Sequence, residues 1–422
     1  MNIPIANSTY DEVVLISESS AMSCPKPIRP NLILRTILKI ITSIDMFLVN
    51  FKVKRIGMER LGKKEPCLYL MNHSSFVDLK IAKYLLYPRP FNIITTADAF
   101  VGKPKLMHMT GCIPTFKFMT DPAMVKNMMY ALRTLNNSVL MYPEASYSFD
   151  GTCTPLPKSI GKCIKILNVP VCMIKTSGAF LRRPHYNNLR IRRGVKVSAN
   201  LKYLLSREDI AKMSPEEIQE TVEREFMFDY FREQQEKKIK INNLDRGEGL
   251  DRVLYKCPHC MAEGNMKSKG DSLFCTSCGV KYRLTKYGAL ECLTGEGKFN
   301  HIPDWYSWER SEVVREIESG EYSLSSDVDI YAMTDFKSIH YIGTGRISHC
   351  SDGWHLTGCY GQLDYRQGVG ASYSLYSDYK WYDIDDIISI GTKKLVYYCV
   401  PKTYRGIVSK ARLATEELFK RK

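Results

Sequence analysis

The sequence lacks the long uncharged apolar run that a membrane-spanning helix requires. Its most apolar segment, residues 32–49, is interrupted by Arg35, Lys39 and Asp45, whereas a spanning helix needs about 20 mostly uncharged residues. The beginning of the chain carries acidic and polar side chains and no apolar core of the signal-peptide type. These absences argue against a spanning segment and against export.

Acidic residues are fewer than basic ones. The 422 residues include 45 Asp and Glu against 60 Lys and Arg, which gives a formal net charge of +15. This balance favours an anionic partner, either a membrane surface or nucleic acid. The 14 cysteines, without a secretion signal, indicate a reducing compartment with free or metal-bound thiols. We therefore expect a cytoplasmic protein of two or three domains.

A short stretch around His73 carries the first chemical motif. Residues 67–71 are an apolar run that predicts a buried strand, and a helical pattern begins at Phe76. Asp78, in the first turn of that helix, leans back toward His73. This is the geometry of a general base oriented by a carboxylate. The spacing from Ser75 to Asp78 is also that of a capping box, which requires no chemistry.

Three further motifs follow at the ends of predicted strands. They are Gly111-Cys-Ile-Pro-Thr-Phe-Lys117, then Pro143-Glu144-Ala-Ser146-Tyr147-Ser148, then Val169-Pro170-Val171. Together with Asn72-His73 and Asp78, and in this order, they resemble the glycerolipid acyltransferase superfamily, typified by the 1-acylglycerol-3-phosphate acyltransferases. The resemblance covers roughly residues 35–240.

The motifs depart from the superfamily pattern at several positions. The Asn-His-x4-Asp motif is intact, but Lys117 stands where the second motif has arginine. Ala145, Ser146 and Tyr147 replace the usual Gly, Thr and Arg of the third motif. The fourth motif lacks its second proline. Lysine keeps a positive charge without the bidentate fork of arginine, so a phosphate contact by Lys117 would be a point-charge interaction.

The resemblance implies an acyl transfer in phospholipid biosynthesis. The donor would be a thioester, acyl-CoA or acyl-carrier protein, and the acceptor the hydroxyl of a lysophospholipid, with 1-acylglycerol-3-phosphate favoured. His73 would be the base and Asp78 its orienting carboxylate, without a catalytic cofactor. The residues expected to contact substrate are Asn72, Gly111, Lys117, Pro143, Glu144, Ser146, Tyr147 and Lys158.

The pattern of short apolar runs and helical stretches predicts an α/β domain over residues 51–245. Strands are expected at 67–71, 91–95, 138–142 and 169–175, helices at 76–86, 122–135 and 158–167, and a long charged helix at 214–241. Residues 1–30, ending in the proline-rich stretch from Cys24, are expected to be a mobile leader. Residues 31–50 predict an amphipathic helix, either lying in a membrane interface on its cytoplasmic side or packed on the next domain.

Two Cys-x2-Cys pairs predict a metal site. Cys257 and Cys260 are followed after fourteen residues by Cys275 and Cys278, which resembles a zinc ribbon over residues 250–296. Four thiolates give a closed, structural zinc site, and the alternative is redox pairs or unligated thiols. Because zinc ribbons often bind nucleic acid, an inactive relative serving as a nucleic-acid or protein adaptor is a second hypothesis. The persistence of His73, Asp78 and Glu144 favours the enzyme.

Residues 297–422 read as a β-rich domain closed by a final helix. Short alternating strands are separated by Gly and Asp turns, and an amphipathic basic helix is expected from about Tyr404 to Lys420. Strands closed by one C-terminal helix look like a pleckstrin-homology-type domain. Its role is open between binding lipid headgroups, binding a partner and packing.

Overall fold

The computed structural model describes residues 3–19, 22, 25–119 and 121–422. The chain begins with strand β1 (Ile5–Asn7), helix α1 (Tyr10–Ser19) and helix α2 (Leu32–Leu48). Strand β1 pairs in parallel with residues 339–341 of the C-terminal domain, and Val13 of α1 is fully buried in the core of that domain. Residues 5–19 are therefore docked by backbone pairing and apolar burial, which corrects the expected mobile leader; Cys24 lies outside the described residues.

The α/β domain is a seven-stranded sheet with helices on both faces. Its strands are β2 (Lys52–Ile56), β3 (Leu68–Met71), β4 (Phe91–Thr96), β5 (Cys112–Thr115), β6 (Ser138–Met141), β7 (Val171–Ser177) and β8 (Ser198–Leu205). Its helices are α3 (Val77–Leu86), α4 (Pro104–Met109), α5 (Pro122–Met129), α6 (Ile160–Leu167), α7 (Ala179–Arg182), α8 (Arg207–Lys212), α9 (Pro215–Phe226) and α10 (Tyr230–Glu236). The order is β2-β8-β7-β3-β6-β4-β5, and all neighbours are parallel except β7 and β8.

Strand β3 lies at the centre of this sheet and brings the motif loops together. Leu70 is paired with Met141 of β6 on one side and with Met173 of β7 on the other. Because parallel strands end at the same edge of a sheet, the residues after β3 and after β6 become neighbours. Alternate residues of β3 enter the cores on opposite faces, as expected of a strand covered on both sides.

The long helix expected over 214–241 is two helices. Helix α9 ends at Phe226 and α10 begins at Tyr230. Asp229 caps α10 by accepting the Arg232 N–H at 2.8 Å, and its backbone forms a bridge with Thr152. The chain breaks because this pairing draws residues 227–229 out of the helix toward the loop that follows β6.

A small antiparallel sheet follows the α/β domain. It contains β9 (Met266–Lys269), β10 (Ser272–Cys275), β11 (Lys281–Leu284) and β12 (Leu290–Cys292). Helix α11 (Ile302–Glu318) comes next, in a region for which the sequence analysis anticipated only strands. Trp305 of α11 is fully buried and its indole N–H donates to the Lys256 carbonyl at 3.1 Å. Sheet and helix therefore share one core.

The C-terminal domain is a single sheet closed by a helix. Its strands are β13 (Leu324–Met333), β14 (Ile339–Cys350), β15 (Gly353–Gly358), β16 (Leu363–Gly368), β17 (Tyr376–Trp381), β18 (Asp385–Gly391) and β19 (Val396–Pro401), in the order β16-β15-β14-β13-β19-β18-β17. Helix α12 (Ile407–Lys420) follows. Among the described residues, no helix is long and apolar enough to cross a membrane.

Helix α12 is buried along most of its length, which differs from the amphipathic basic helix that the sequence predicts. Every residue from Ile407 to Leu418 is buried. The charged side chains tolerate this because they are paired. Lys410, for example, lies 2.7 Å from both Glu263 and Glu316. The helix is therefore enclosed by three parts of the chain.

Candidate active site

His73 lies on the turn between β3 and α3, with Asp78 beside it. The distance from His73 Nδ1 to Asp78 Oδ2 is 3.4 Å, and the imidazole keeps 19% of its surface exposed while Asp78 is fully buried. The same carboxylate oxygen accepts the N–H groups of Ser74 and Ser75 at 2.7 and 2.8 Å. Asp78 therefore fixes the turn through its carboxylate and also faces the imidazole, and its role in catalysis stays a prediction.

The His73 ring is enclosed by two tyrosines from the loop after β6. Its centroid lies 4.2 Å from that of Tyr142 and 4.2 Å from that of Tyr147. Burial lowers the pKa of His73 below its ordinary value, and the opposing effect of Asp78 is smaller. The imidazole is therefore neutral at neutral pH. This is the protonation state that a general base requires.

Glu144 joins this turn to the loop that follows β6. One carboxylate oxygen accepts the His73 N–H at 2.7 Å and the other accepts the Thr154 N–H at 3.0 Å. The side chain is fully buried, and burial raises the pKa of Glu144 to about 8 against the opposing effect of these two donors. Glu144 thus fixes the position of the His73 backbone through this hydrogen bond.

Three other predicted site residues make contacts within the protein. Asn72 is fully buried, and its side-chain oxygen accepts the Thr176 N–H at 2.8 Å. Gly111 has a φ of +84°, and a Cβ added there would lie 2.4 Å from a Pro30 side-chain atom. Pro143 is buried between the strand and Glu144. A direct contact with substrate stays a prediction for each of these residues.

The two predicted lysines lie in different surroundings. The Lys117 ammonium lies 4.0 Å from the centroid of the Tyr376 ring, and burial lowers its pKa, with Asp378 and Asp98 opposing the shift. Its positive charge also contributes to the lowered pKa of His73. Lys158 is exposed and lines a cleft of about 950 Å³ beside the loop after β6. Of the two, Lys117 is the cation near the base.

A comparison with known protein families finds a match over the part of the chain that carries this site. The family model described as Acyltransferase matches residues 52–176. This part of the chain is an acyltransferase domain. The solved structure of the 1-acyl-sn-glycerophosphate (LPA) acyltransferase PlsC from Thermotoga maritima is similar at 14% identity and a TM-score of 0.35, covering 46% of this chain and 78% of that one. No curated protein matches the sequence.

The candidate site has one wall that sequence reasoning missed, because the C-terminal domain supplies it. Asp378 of β17 accepts a hydrogen bond from His185 Nε2 at 2.5 Å, and the His185 ring lies 5.0 Å from Tyr147. Tyr376 donates its hydroxyl to Asp98 of the acyltransferase domain at 2.6 Å. Nothing in the local sequence around these residues indicates the contact, since it depends on how two distant domains pack.

The four cysteines of the Cys-x2-Cys pairs converge at one point. Their Sγ atoms all lie within 4.8 Å of one another, with Cys257 to Cys278 at 3.6 Å and Cys260 to Cys275 at 3.7 Å. A tetrahedral zinc with bonds of about 2.3 Å requires sulfur atoms about 3.8 Å apart. These thiols therefore fit a metal ion. The neighbouring His259 instead contacts the Tyr282 hydroxyl at 2.8 Å through Nε2.

Proposed function

We propose that this acyltransferase moves an acyl group from a thioester donor to the hydroxyl of a lysophospholipid, with 1-acylglycerol-3-phosphate as the favoured acceptor. The observation that carries the proposal is the geometry of His73, which lies between the rings of Tyr142 and Tyr147 with Nδ1 3.4 Å from Asp78 Oδ2. The donor is acyl-CoA or acyl-carrier protein. The reaction belongs to phospholipid biosynthesis.

The geometry supports a direct transfer without an acyl-enzyme. Because His73 Nδ1 faces Asp78, Nε2 is the nitrogen left to take the proton from the acceptor hydroxyl. The hydroxyl oxygen attacks the thioester carbonyl, the C–S bond breaks, and the thiolate leaves with the proton that Nε2 returns. Asp78 stabilises the imidazolium that forms in between and fixes its tautomer.

A phosphate on the acceptor needs a cation near the base, and Lys117 supplies one. Its charge contributes to the lowered pKa of His73, and Asp378 and Asp98 oppose the effect of burial on the pKa of Lys117 itself. A phosphate oxygen would replace the ring of Tyr376 as the partner of this ammonium. The preference for an acceptor with a terminal phosphate therefore rests on Lys117.

The test is a panel of lysolipids assayed with acyl-CoA and with acyl-carrier protein. We expect the highest turnover with lysophosphatidate. Lys117→Ala should lower it about 10- to 100-fold, the value of a lost charged hydrogen bond, and leave turnover of lysophosphatidylcholine nearly unchanged. Lys126→Ala, at an exposed lysine of α5, is the matched control. An equal loss with both acceptors would contradict the phosphate contact, and no turnover of any lysolipid would refute the proposed function.

We also propose identities for the two appended units. The antiparallel sheet with its four clustered thiols is a zinc ribbon holding a structural zinc ion. The order β16-β15-β14-β13-β19-β18-β17 with a closing helix supports a pleckstrin-homology-type arrangement for the C-terminal domain.

We further propose that α2 binds the protein peripherally to an anionic membrane on its cytoplasmic side. One face of α2 contacts α3, where Lys39 donates to the Tyr84 carbonyl at 3.0 Å and Lys80 pairs with Asp45 at 2.5 Å. The other face is apolar and exposed. Its residues are Leu32, Ile33, Ile37, Ile40, Ile41, Ile44, Phe47 and Leu48. The basic strand β2 beside it suits anionic headgroups.

Replacing Ile37, Ile41 and Phe47 together by serine should weaken binding to vesicles containing anionic lipid by about 100-fold or more. Each side chain contributes about 1.5–3 kcal/mol when it leaves water. Sedimentation with vesicles measures this, and high salt should release a large fraction of the wild type. The matched control is Leu244→Ser, since Leu244 is 82% exposed but lies away from α2. Unchanged vesicle binding in the triple variant would refute membrane attachment through α2.

A further inference from the structure

Arg412 of α12 reaches from the C-terminal domain into the acyltransferase site. Its Nη2 donates to Ser146 Oγ at 2.8 Å and its Nη1 to the Tyr147 carbonyl at 3.3 Å. The guanidinium also lies 4.5 Å from the centroid of the Phe149 ring. The side chain is only 3% exposed. It therefore contacts the loop after β6 and is almost inaccessible to solvent.

The loop that Arg412 contacts packs against one side of the His73 ring. Tyr147 is the residue whose ring lies 4.2 Å from His73. Ala145, two residues earlier, has a φ of +53°, a conformation that is costly for a residue with a Cβ. Such a loop keeps its shape only if contacts on both sides hold it. Glu144 supplies one of these contacts and Arg412 the other.

Arg412 is itself held rigidly by its own domain. Its Nε lies 3.3 Å from Glu416 on the same helix. Glu416 is nearly fully buried and also accepts from Arg310 at 2.7 Å and from the Ser374 hydroxyl at 2.7 Å. The guanidinium is thus fixed before substrate arrives, and such preorganised contacts determine how well a catalytic group is oriented.

We propose that Arg412 is a positioning residue of the acyl-transfer site, and that helix α12 completes this site by holding Tyr147 against His73. The proposal rests on the proposed function, because it takes His73 as the base. It gives the C-terminal domain a role in catalysis in addition to its packing. A purely structural role would make Arg412 matter only for the packing of the two domains.

The two roles differ in what they do to His73. If Arg412 is lost and Tyr147 swings away, the imidazole becomes hydrated and its pKa rises toward the ordinary value, because burial is what lowers it. The acid limb of the kcat/KM profile then moves to higher pH. A loss of domain packing alone reduces the fraction of active protein and leaves that limb unmoved.

The experiment compares Arg412→Ala with Arg421→Gln, a control at the residue that follows α12, whose guanidinium pairs with Glu318 and Glu417. We expect kcat of Arg412→Ala to fall about 10- to 100-fold with KM within about two-fold, and its acid limb to shift upward. The kcat of Arg412→Lys should lie between those of the wild type and Arg412→Ala. Ser146→Ala, which removes a single acceptor at little risk to folding, should lower kcat by about five-fold.

A second measurement does not depend on turnover. The titration of the His73 ring, followed by NMR and assigned with His73→Ala, should move to higher pH in Arg412→Ala and in Ser146→Ala. If the wild type acylates no lysolipid, the proposed function fails while this titration still tests Arg412. An unchanged kcat, or a loss of activity with the His73 titration unmoved in both variants, overturns the positioning role.

Discussion

Replacing His73 by alanine should lower kcat by about 10²- to 10⁴-fold, the usual contribution of a general base. Folding should survive, because the contact that ties this turn to Glu144 comes from the backbone N–H of residue 73. Steady-state turnover with lysophosphatidate and unfolding by circular dichroism are the two measurements. The metal content should stay at the wild-type value.

The companion variant is Asp78→Asn. Asparagine retains one oxygen for the N–H groups of Ser74 and Ser75, so the turn should persist. Most activity should be lost because the negative charge that stabilises the imidazolium is gone. Because Asp78 raises the pKa of His73, its removal should move the acid limb to lower pH. His355→Ala, on β15 of the C-terminal domain, is the matched control. Substantial turnover by His73→Ala would contradict the role of His73 as the general base.

Loss of the metal site should produce the largest change in stability. We expect one zinc per chain, and Cys257→Ser or Cys275→Ser should release it, since each removes one of the four converging thiols. Structural zinc sites contribute about 10 kcal/mol to folding in small domains. The packing of α11 should also be destabilised, because Cys257 and Cys275 belong to the same apolar core as Trp305 of α11.

Cys292→Ser is the control for this prediction. Cys292 lies on β12 of the same small sheet but outside the cluster, and its thiol donates to the Thr294 carbonyl at 3.5 Å. Elemental analysis and thermal unfolding of all three variants give the comparison. Protein purified without chelator that contains no metal, or Cys275→Ser that keeps its zinc, would refute the ribbon.

The local signals in the sequence predicted the centre of the acyltransferase domain well. The run from Leu68 to Met71 is apolar throughout because the strand is covered on both faces. The break at Asn72 and the helix after it follow from the change to a helical pattern. His73 and Asp78 are close enough in the chain for their contact to be read from spacing alone.

The features that the sequence did not reveal all depend on packing between distant segments. Residues 5–7 form strand β1 because they pair with residues 339–341, which are far away in the sequence. Helix α12 carries charges that suggest solvent, yet Lys410 and Arg412 find carboxylates and loop oxygens from other parts of the chain. Tertiary contacts of this kind override local patterning. The contacts that Asp378 and Arg412 add to the site could not be predicted from the sequence for the same reason.

Arg412 follows His73 by 339 residues, and this separation has a consequence for protein synthesis. At about 5–20 residues per second, the ribosome reaches Arg412 roughly 17 to 68 s after His73. The strands of the acyltransferase domain emerge well before Arg412. The sheet that carries His73 can therefore assemble on the ribosome before Arg412 is available to contact the loop with Tyr147. A nascent chain would then carry an assembled but poorly active site. Full activity would follow only once α12 has folded against this loop.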